Sequence, residues 1–209
     1  MKKEFANKFF HNGSLKIGTL YEYKRGEHSN AAIDDEREGS HYPVLRIGNE
    51  GLHSHNIDPI DAFFICGQHS LPFGSGFQNL TIQKEIKSED CYIYCLTTSP
   101  NAEAMMAFNC DTCIEISNPD ALFRLMTKKI RHKVSELSWK GEISYQDKEY
   151  NHRQERGINP AITKDLQFSY QNEYRVIWKP NQILPENINL NPLYINVPDA
   201  RKFCRIIKL

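Results

Sequence analysis

Near its C-terminal end the chain sets three polar side chains at alternate positions of an otherwise apolar run, Phe168-Ser169-Tyr170-Gln171-Asn172-Glu173-Tyr174-Arg175-Val176-Ile177-Trp178. A period of two predicts a strand with Gln171, Glu173 and Arg175 on one face, backed by Val176 and Trp178. Burying such a face is costly without partners or a purpose. Taken alone, it reads equally well as a Glu–Arg pair at a sheet edge or as part of a site.

Strand-forming runs recur along the chain. Leu15, Ile17, Thr19, Tyr21 and Tyr23 alternate after the turn signal Asn12-Gly13, predicting a strand over 14–24. Tyr42–Ile47, Cys91–Thr98, Cys113–Ser117, Leu193–Val197 and Phe203–Ile207 predict further strands, and Ala62–Gly67 one buried on both faces. Ser99-Pro100 and Asn118-Pro119 each pair an N-cap with a proline at the first helical position. They predict a short helix over Asn101–Phe108, then one with Leu122, Leu125, Met126 and Ile130 on its apolar face and bases on the other. Segments 26–41, 68–80 and 147–163 read as loops. Strands outnumber helices without regular βαβ alternation, so the expected class is α+β. A length of 209 residues suits one domain, 1–209.

Acids and bases balance at 26 each, which excludes a globally basic nucleic-acid binder and a strongly acidic tail protein. Their distribution is uneven. Residues 27–61 carry eight acids against two arginines, and residues 124–157 carry nine bases against five acids. Such a dipole would steer an anionic substrate, although two solvated surfaces account for it as simply. The longest uncharged apolar run, Ala62–Cys66, is too short to span a bilayer, so no membrane partner is expected. The opening Met1-Lys2-Lys3-Glu4-Phe5 lacks an apolar h-region, and six cysteines then read as reduced thiols in a cytoplasmic protein.

Motif chemistry narrows the field. Neither G-x-G-x-x-G nor a P-loop is present, which disfavours a Rossmann oxidoreductase or a P-loop NTPase. Cys110-x-x-Cys113, with Cys91 and Cys95, could supply zinc ligands, but thiols packing a core are the preferred account. Asp34-Asp35-Glu36-Arg37-Glu38 could hold Mg²⁺ in a nuclease, with a solvated acidic loop preferred. No metal is expected.

Together these residues resemble the ADP-ribosyltransferase superfamily. There a Q-x-E or E-x-E motif begins a late strand, an upstream strand carries an S-T-S-like segment, and an early strand presents an Arg or His. Here Gln171-x-Glu173 and Thr97-Thr98-Ser99 occupy those places, and the early strand carries Gly18, Thr19, Tyr21 and Tyr23, with Arg25 at its end. The chain is also similar to a bacterial family found in mobile and phage-defence loci. That family's pattern is matched by Gly13–Tyr23, Glu38-Gly39, Cys95-Leu96-Thr97, Cys113–Ile116, and Lys164 with Phe168-x-Tyr170-Gln171-x-Glu173-Tyr174-Arg175.

The resemblance implies a mixed, mainly antiparallel split β-sheet with a few short helices, and NAD as co-substrate. Cleaving the nicotinamide–ribose bond passes through an oxocarbenium-like cation that a fixed carboxylate stabilises. Glu173 would be that carboxylate, bonding the ribose 2′-hydroxyl, with Gln171 near the acceptor. Gly18, Thr19, Thr97, Thr98 and Ser99 would shape the cofactor pocket. Tyr21, Tyr23 or Phe108 would stack on nicotinamide, and Arg25 or Arg175 would hold the pyrophosphate. The acceptor would be a macromolecule, RNA or DNA among the candidates. The setting would be that of an intracellular toxin or antiphage effector with an antitoxin or inhibitor partner. Two rivals stand beside it: a metal-dependent nuclease on Asp34, Asp35 and Glu38, and a non-catalytic binding module with a degenerate pocket. On the enzymatic reading, Glu173→Gln is expected to abolish transfer and leave the thermal midpoint nearly unchanged; a large loss of stability would instead support a structural Glu–Arg pair.

Overall fold

The computed structural model describes residues 1–24, 30, 34–67, 71–72, 74–154, 157–182 and 189–207. Arg25 lies outside the described residues. The helices are α1 (Lys3–Asn12), α2 (Leu20–Lys24), α3 (Pro59–Cys66), α4 (Ala102–Ala107) and α5 (Pro119–Ile130). The longer strands are β1 (Ser14–Thr19), β2 (Ser40–Ile47), β3 (Leu80–Gln83), β4 (Tyr92–Thr97), β5 (Cys113–Ile116), β6 (Val134–Glu142), β7 (Glu173–Pro180), β8 (Leu193–Asn196) and β9 (Cys204–Ile207). The protein is α+β, with mainly antiparallel sheets and few, short helices. No helix among the described residues is long and apolar enough to cross a membrane.

Five strands form one antiparallel sheet in the order β8-β1-β4-β7-β6. A second sheet joins β3 and Ile86–Lys87, both antiparallel, and Glu149–Asn151, parallel, to β2. The strands β5 and β9 pair as a ribbon. Within the five-stranded sheet, β4 pairs with β7 from Tyr92 to Thr97 but meets β1 only at Gly18↔Ile93 and Thr19↔Tyr92. Beyond those two positions β1 leaves β4 and pairs with β8 instead. The sheet therefore parts along the edge of β4, and that parting positions the site.

On one face of the sheet, α1 and α5 bury Phe9, Ile17, Leu122, Met126, Ile130, Val176 and Trp178. Trp178 is fully buried, and its indole N–H donates to Thr127 Oγ1 at 2.8 Å. On the other face Leu20, Ile93, Ala161 and Ile177 make a smaller core, with Tyr23 and Trp139 against it.

Several elements differ from the sequence expectation, each for a local reason. The strand expected over 14–24 ends at Thr19. There Thr19 Oγ1 accepts from the Glu22 N–H at 3.1 Å while a Glu22 carboxylate oxygen accepts from the Thr19 N–H at 3.4 Å. This capping box turns the chain into α2. Ala62–Cys66 is helix, not strand, with Gly67 just past its end: Asp58 accepts from the Ile60 N–H at 2.8 Å and Pro59 opens α3. That is the same cap-plus-proline signal as Asn118-Pro119, whose asparagine caps α5 by accepting from the Ala121 N–H. The cap of α4 is Asn101, accepting from Glu103 and Ala104, rather than Ser99.

Gln171 is not in the late strand. It ends a 3-10 turn, Leu166–Gln171, and Asn172 takes a left-handed conformation, φ 45°, before β7 begins. The helix α1 and the strand β6 were not expected. The first closes on Gly13, φ 76°, where a Cβ would lie 2.3 Å from the Val197 carbonyl carbon.

Candidate functional site

Where the sheet parts, a cavity of about 380 Å³ opens. Its size is that of a small-molecule site. Most of the wall is apolar: Leu15 from β1, Tyr94 and Leu96 from β4, Ala104 from α4 and Phe108 at its C-cap, and Ile114 from β5. The floor is polar and carries Glu38, Lys164, Gln171, Glu173 and Arg175.

These floor residues form one bonded cluster. Arg175 Nε donates to Glu173 Oε1 at 2.7 Å, and its Nη1 donates to Glu38 Oε1 at 3.0 Å and to the Ala161 carbonyl at 2.6 Å. Lys164 Nζ donates to Glu173 Oε2 at 3.2 Å and to Gln171 Oε1 at 2.8 Å, and lies 4.0 Å from Glu38. The Glu173 N–H donates to the Tyr145 hydroxyl at 2.8 Å. Two carboxylates face two cations, so the cluster is neutral as a whole although all four side chains are buried. Burial alone would raise the Glu173 pKa, but Arg175 and Lys164 outweigh it and hold the carboxyl far below the usual carboxylate range. Burial would likewise lower Lys164, and Glu173 and Glu38 keep it charged.

Two wall residues approach this floor. Cys95 sits opposite Arg175 in the β4–β7 register and shows its surface to the cavity. Desolvation first, and then the Glu173 charge, push its thiol pKa well up, so it is a neutral donor toward that carboxylate. Tyr23 is a neutral phenol, raised by burial and by Cys95 and Glu22. Its ring folds back across Gly18, where a Cβ would come within 2.9 Å of the hydroxyl. Glycine at 18 is what lets Tyr23 reach the wall.

The predicted residues divide accordingly. Tyr23, Thr97, Phe108, Gln171, Glu173 and Arg175 meet at the cavity, and Gly18 acts through Tyr23. Thr19 is buried and caps α2. Tyr21 points away: its hydroxyl donates to the Ser88 carbonyl at 2.7 Å. Thr98 is exposed and its N–H bonds the Asn172 carbonyl, while Ser99 is exposed and its carbonyl accepts from Thr97 Oγ1. These four do not line the cavity. Arg175 does line it, with Nε and Nη1 donating to Glu173, Glu38 and the Ala161 carbonyl, so it also orients Glu173.

Lys164 was not singled out as a site residue, and Glu38 and Cys95 were considered only as ligands in the metal alternatives. The signal was present, since the bacterial family pattern contains all three. Four of the six cysteines (Cys95, Cys110, Cys113 and Cys204) line the cavity, and Cys91 is core. Among the described residues no group of three or more His, Cys, Asp or Glu is placed to hold a metal. The carboxylates of the nuclease alternative have partners within the chain. Asp34 accepts from the Asn30 N–H, Asp35 pairs with buried Lys148 at 3.1 Å, and Glu38 pairs with Arg175.

None of the family models, curated proteins or solved structures compared with the chain matches it.

Proposed function

We propose that the cavity binds the nicotinamide–ribose end of NAD and that the protein transfers ADP-ribose to a macromolecular acceptor, with Glu173 as the catalytic carboxylate. The observation that carries this reading is the Glu173 carboxylate itself, kept ionised on the floor of a cavity with aromatic and apolar walls. A carboxylate has about four lone-pair sites, so bonds from Arg175, Lys164 and Cys95 leave room for one ribose hydroxyl. The two cations fix its orientation, and the low dielectric strengthens its effect on a developing cation. Tyr23 and Phe108 supply the aromatic faces that a flat cationic ring favours. The parting of the main sheet supports an ADP-ribosyltransferase-like fold. The same reading carries a cytoplasmic toxin or antiphage effector restrained by an inhibitor partner.

One observation favours a rival. The charged cluster is satisfied internally, which is also how a purely binding cavity would be built. Calorimetric titration with NAD separates a vacant fold from a site. Thr97 is exposed at the cavity rim, so Thr97→Trp should block the cavity without disturbing the core. NAD is expected to bind the wild type and not this variant. Absence of binding to the wild type would overturn the proposal.

A further inference from the structure

A second concave surface lies between α5 and β6. Arg124 and Lys128 rise from one ridge of α5, four residues apart, and Lys140 faces them from β6. All three are exposed. Phe123 and Leu137 make the floor. The acid within the groove is Asp120, ion-paired to Lys140. Glu142 follows Lys140 one pleat along on the same face of the strand.

The groove is joined to the cavity through α5. Leu122 lines the cavity and Phe123 floors the groove. Phe123 stacks on Tyr174, the residue after Glu173, with centroids 6.3 Å apart and planes 15° from parallel. Lys140 pairs in register with Val176, two residues further along the site strand.

We infer that this groove binds the phosphodiester backbone of a single-stranded nucleic acid through Arg124, Lys128 and Lys140. Side chains four apart on a helix stand about 5–6 Å from one another, matching a regular polyanion better than the irregular charges of a folded protein. Arg124 offers the planar fork that suits phosphate. One helix and one strand present a single track of cations, which fits one strand rather than a duplex. That this strand is also the acceptor rests on the transferase reading; the binding itself does not.

The test is fluorescence anisotropy without NAD, using a labelled oligouridylate of about twelve nucleotides. Salt is varied from about 50 to 200 mM. Binding should weaken with salt. Arg124→Gln with Lys128→Gln should weaken it at least about tenfold and flatten the log–log salt slope by about 1.4, or 0.7 per lost phosphate contact. Asp120→Asn, which frees Lys140, should tighten binding, a gain that no misfolded protein would give. Thr97→Trp should bind the oligonucleotide as the wild type does. Equal binding by the double variant, or competition by polyglutamate as effective as by unlabelled oligouridylate, would overturn the inference. Tighter binding to a duplex of the same length would overturn the single-strand assignment. Salt-dependent binding by a protein that leaves NAD untouched would sink the transferase and leave the groove standing.

Discussion

Arg175 grips two carboxylates from distant parts of the chain, Glu173 two residues before it and Glu38 137 residues away, at 2.7 and 3.0 Å. With Lys164 the cluster is balanced, and removing one charge leaves another buried without a partner. Glu173→Gln should therefore cost about 3–5 kcal/mol of stability, read by urea denaturation. The sequence alone led to an expected unchanged midpoint; a loss of this size would give the Glu173–Arg175 pair a structural role, and transfer by the Lys164→Gln, Glu173→Gln double variant decides whether Glu173 is also catalytic. Adding Lys164→Gln removes the surplus cation, so the double variant should be more stable than Glu173→Gln alone by about 1 kcal/mol or more. A double variant that is simply worse would show that the charges do not act as a unit.

The same balance sets an acid limit. The Glu173 pKa is lower in the folded protein than its ordinary 4.5, so the folded state favours the ionised form. The stability this gives is complete above about pH 4.5 and is lost as pH falls from there toward the depressed folded value. Unfolding free energy measured across that range should fall in the wild type. In the Lys164→Gln, Glu173→Gln double variant it should fall less steeply.

Thiol chemistry gives an independent check of the cavity wall. Burial and then Asp90 push Cys91 up to about 12, burial pushes Cys204 up to about 11, and Cys95, exposed to the cavity, is raised by desolvation from its neighbours and by the Glu173 charge. The thiolate is the reactive form. At pH 8, mass spectrometry after brief treatment of the native protein with iodoacetamide should find these three unmodified, although Cys95 faces an open cavity. Rapid labelling of Cys95 would mean that its carboxylate neighbour is misplaced.

Much of this arrangement was legible in the sequence, and the failures have identifiable causes. The strand β7 and the face shared by Glu173 and Arg175 follow from period-two alternation. Gln171 reaches the same cluster by another route: the left-handed Asn172 breaks the strand, and Lys164 draws the glutamine in. The apolar run Ala62–Cys66 looked like a buried strand because composition outweighed the Asp58-Pro59 cap, yet Phe63 is 64% exposed on α3. The resemblance put Thr19 and Tyr21 at the pocket, whereas the capping box of Thr19 and Glu22 ends β1 and turns the chain away there. The pairing of Glu38 with Arg175 is a long-range contact, and no local pattern encodes it.

Glycine at 18 offers a test of the wall from behind. A methyl group there would meet the Tyr23 ring at 2.9–3.0 Å and a Glu22 carboxylate oxygen at 3.2 Å. Gly18→Ala should cost about 1–3 kcal/mol as the ring is displaced. Titration should show weaker NAD binding than in the wild type. Unchanged affinity would remove Tyr23 from the binding surface.

The central claim is transfer from NAD at Glu173. Purified protein is incubated with adenylate-labelled NAD and whole-cell lysate, beside the Lys164→Gln, Glu173→Gln double variant, whose charge balance is kept. Half of each sample is then treated with nuclease and half with protease. Label should enter macromolecules with the wild type alone and be released by nuclease. Intact NAD and no incorporated label with the folded wild type would contradict the account.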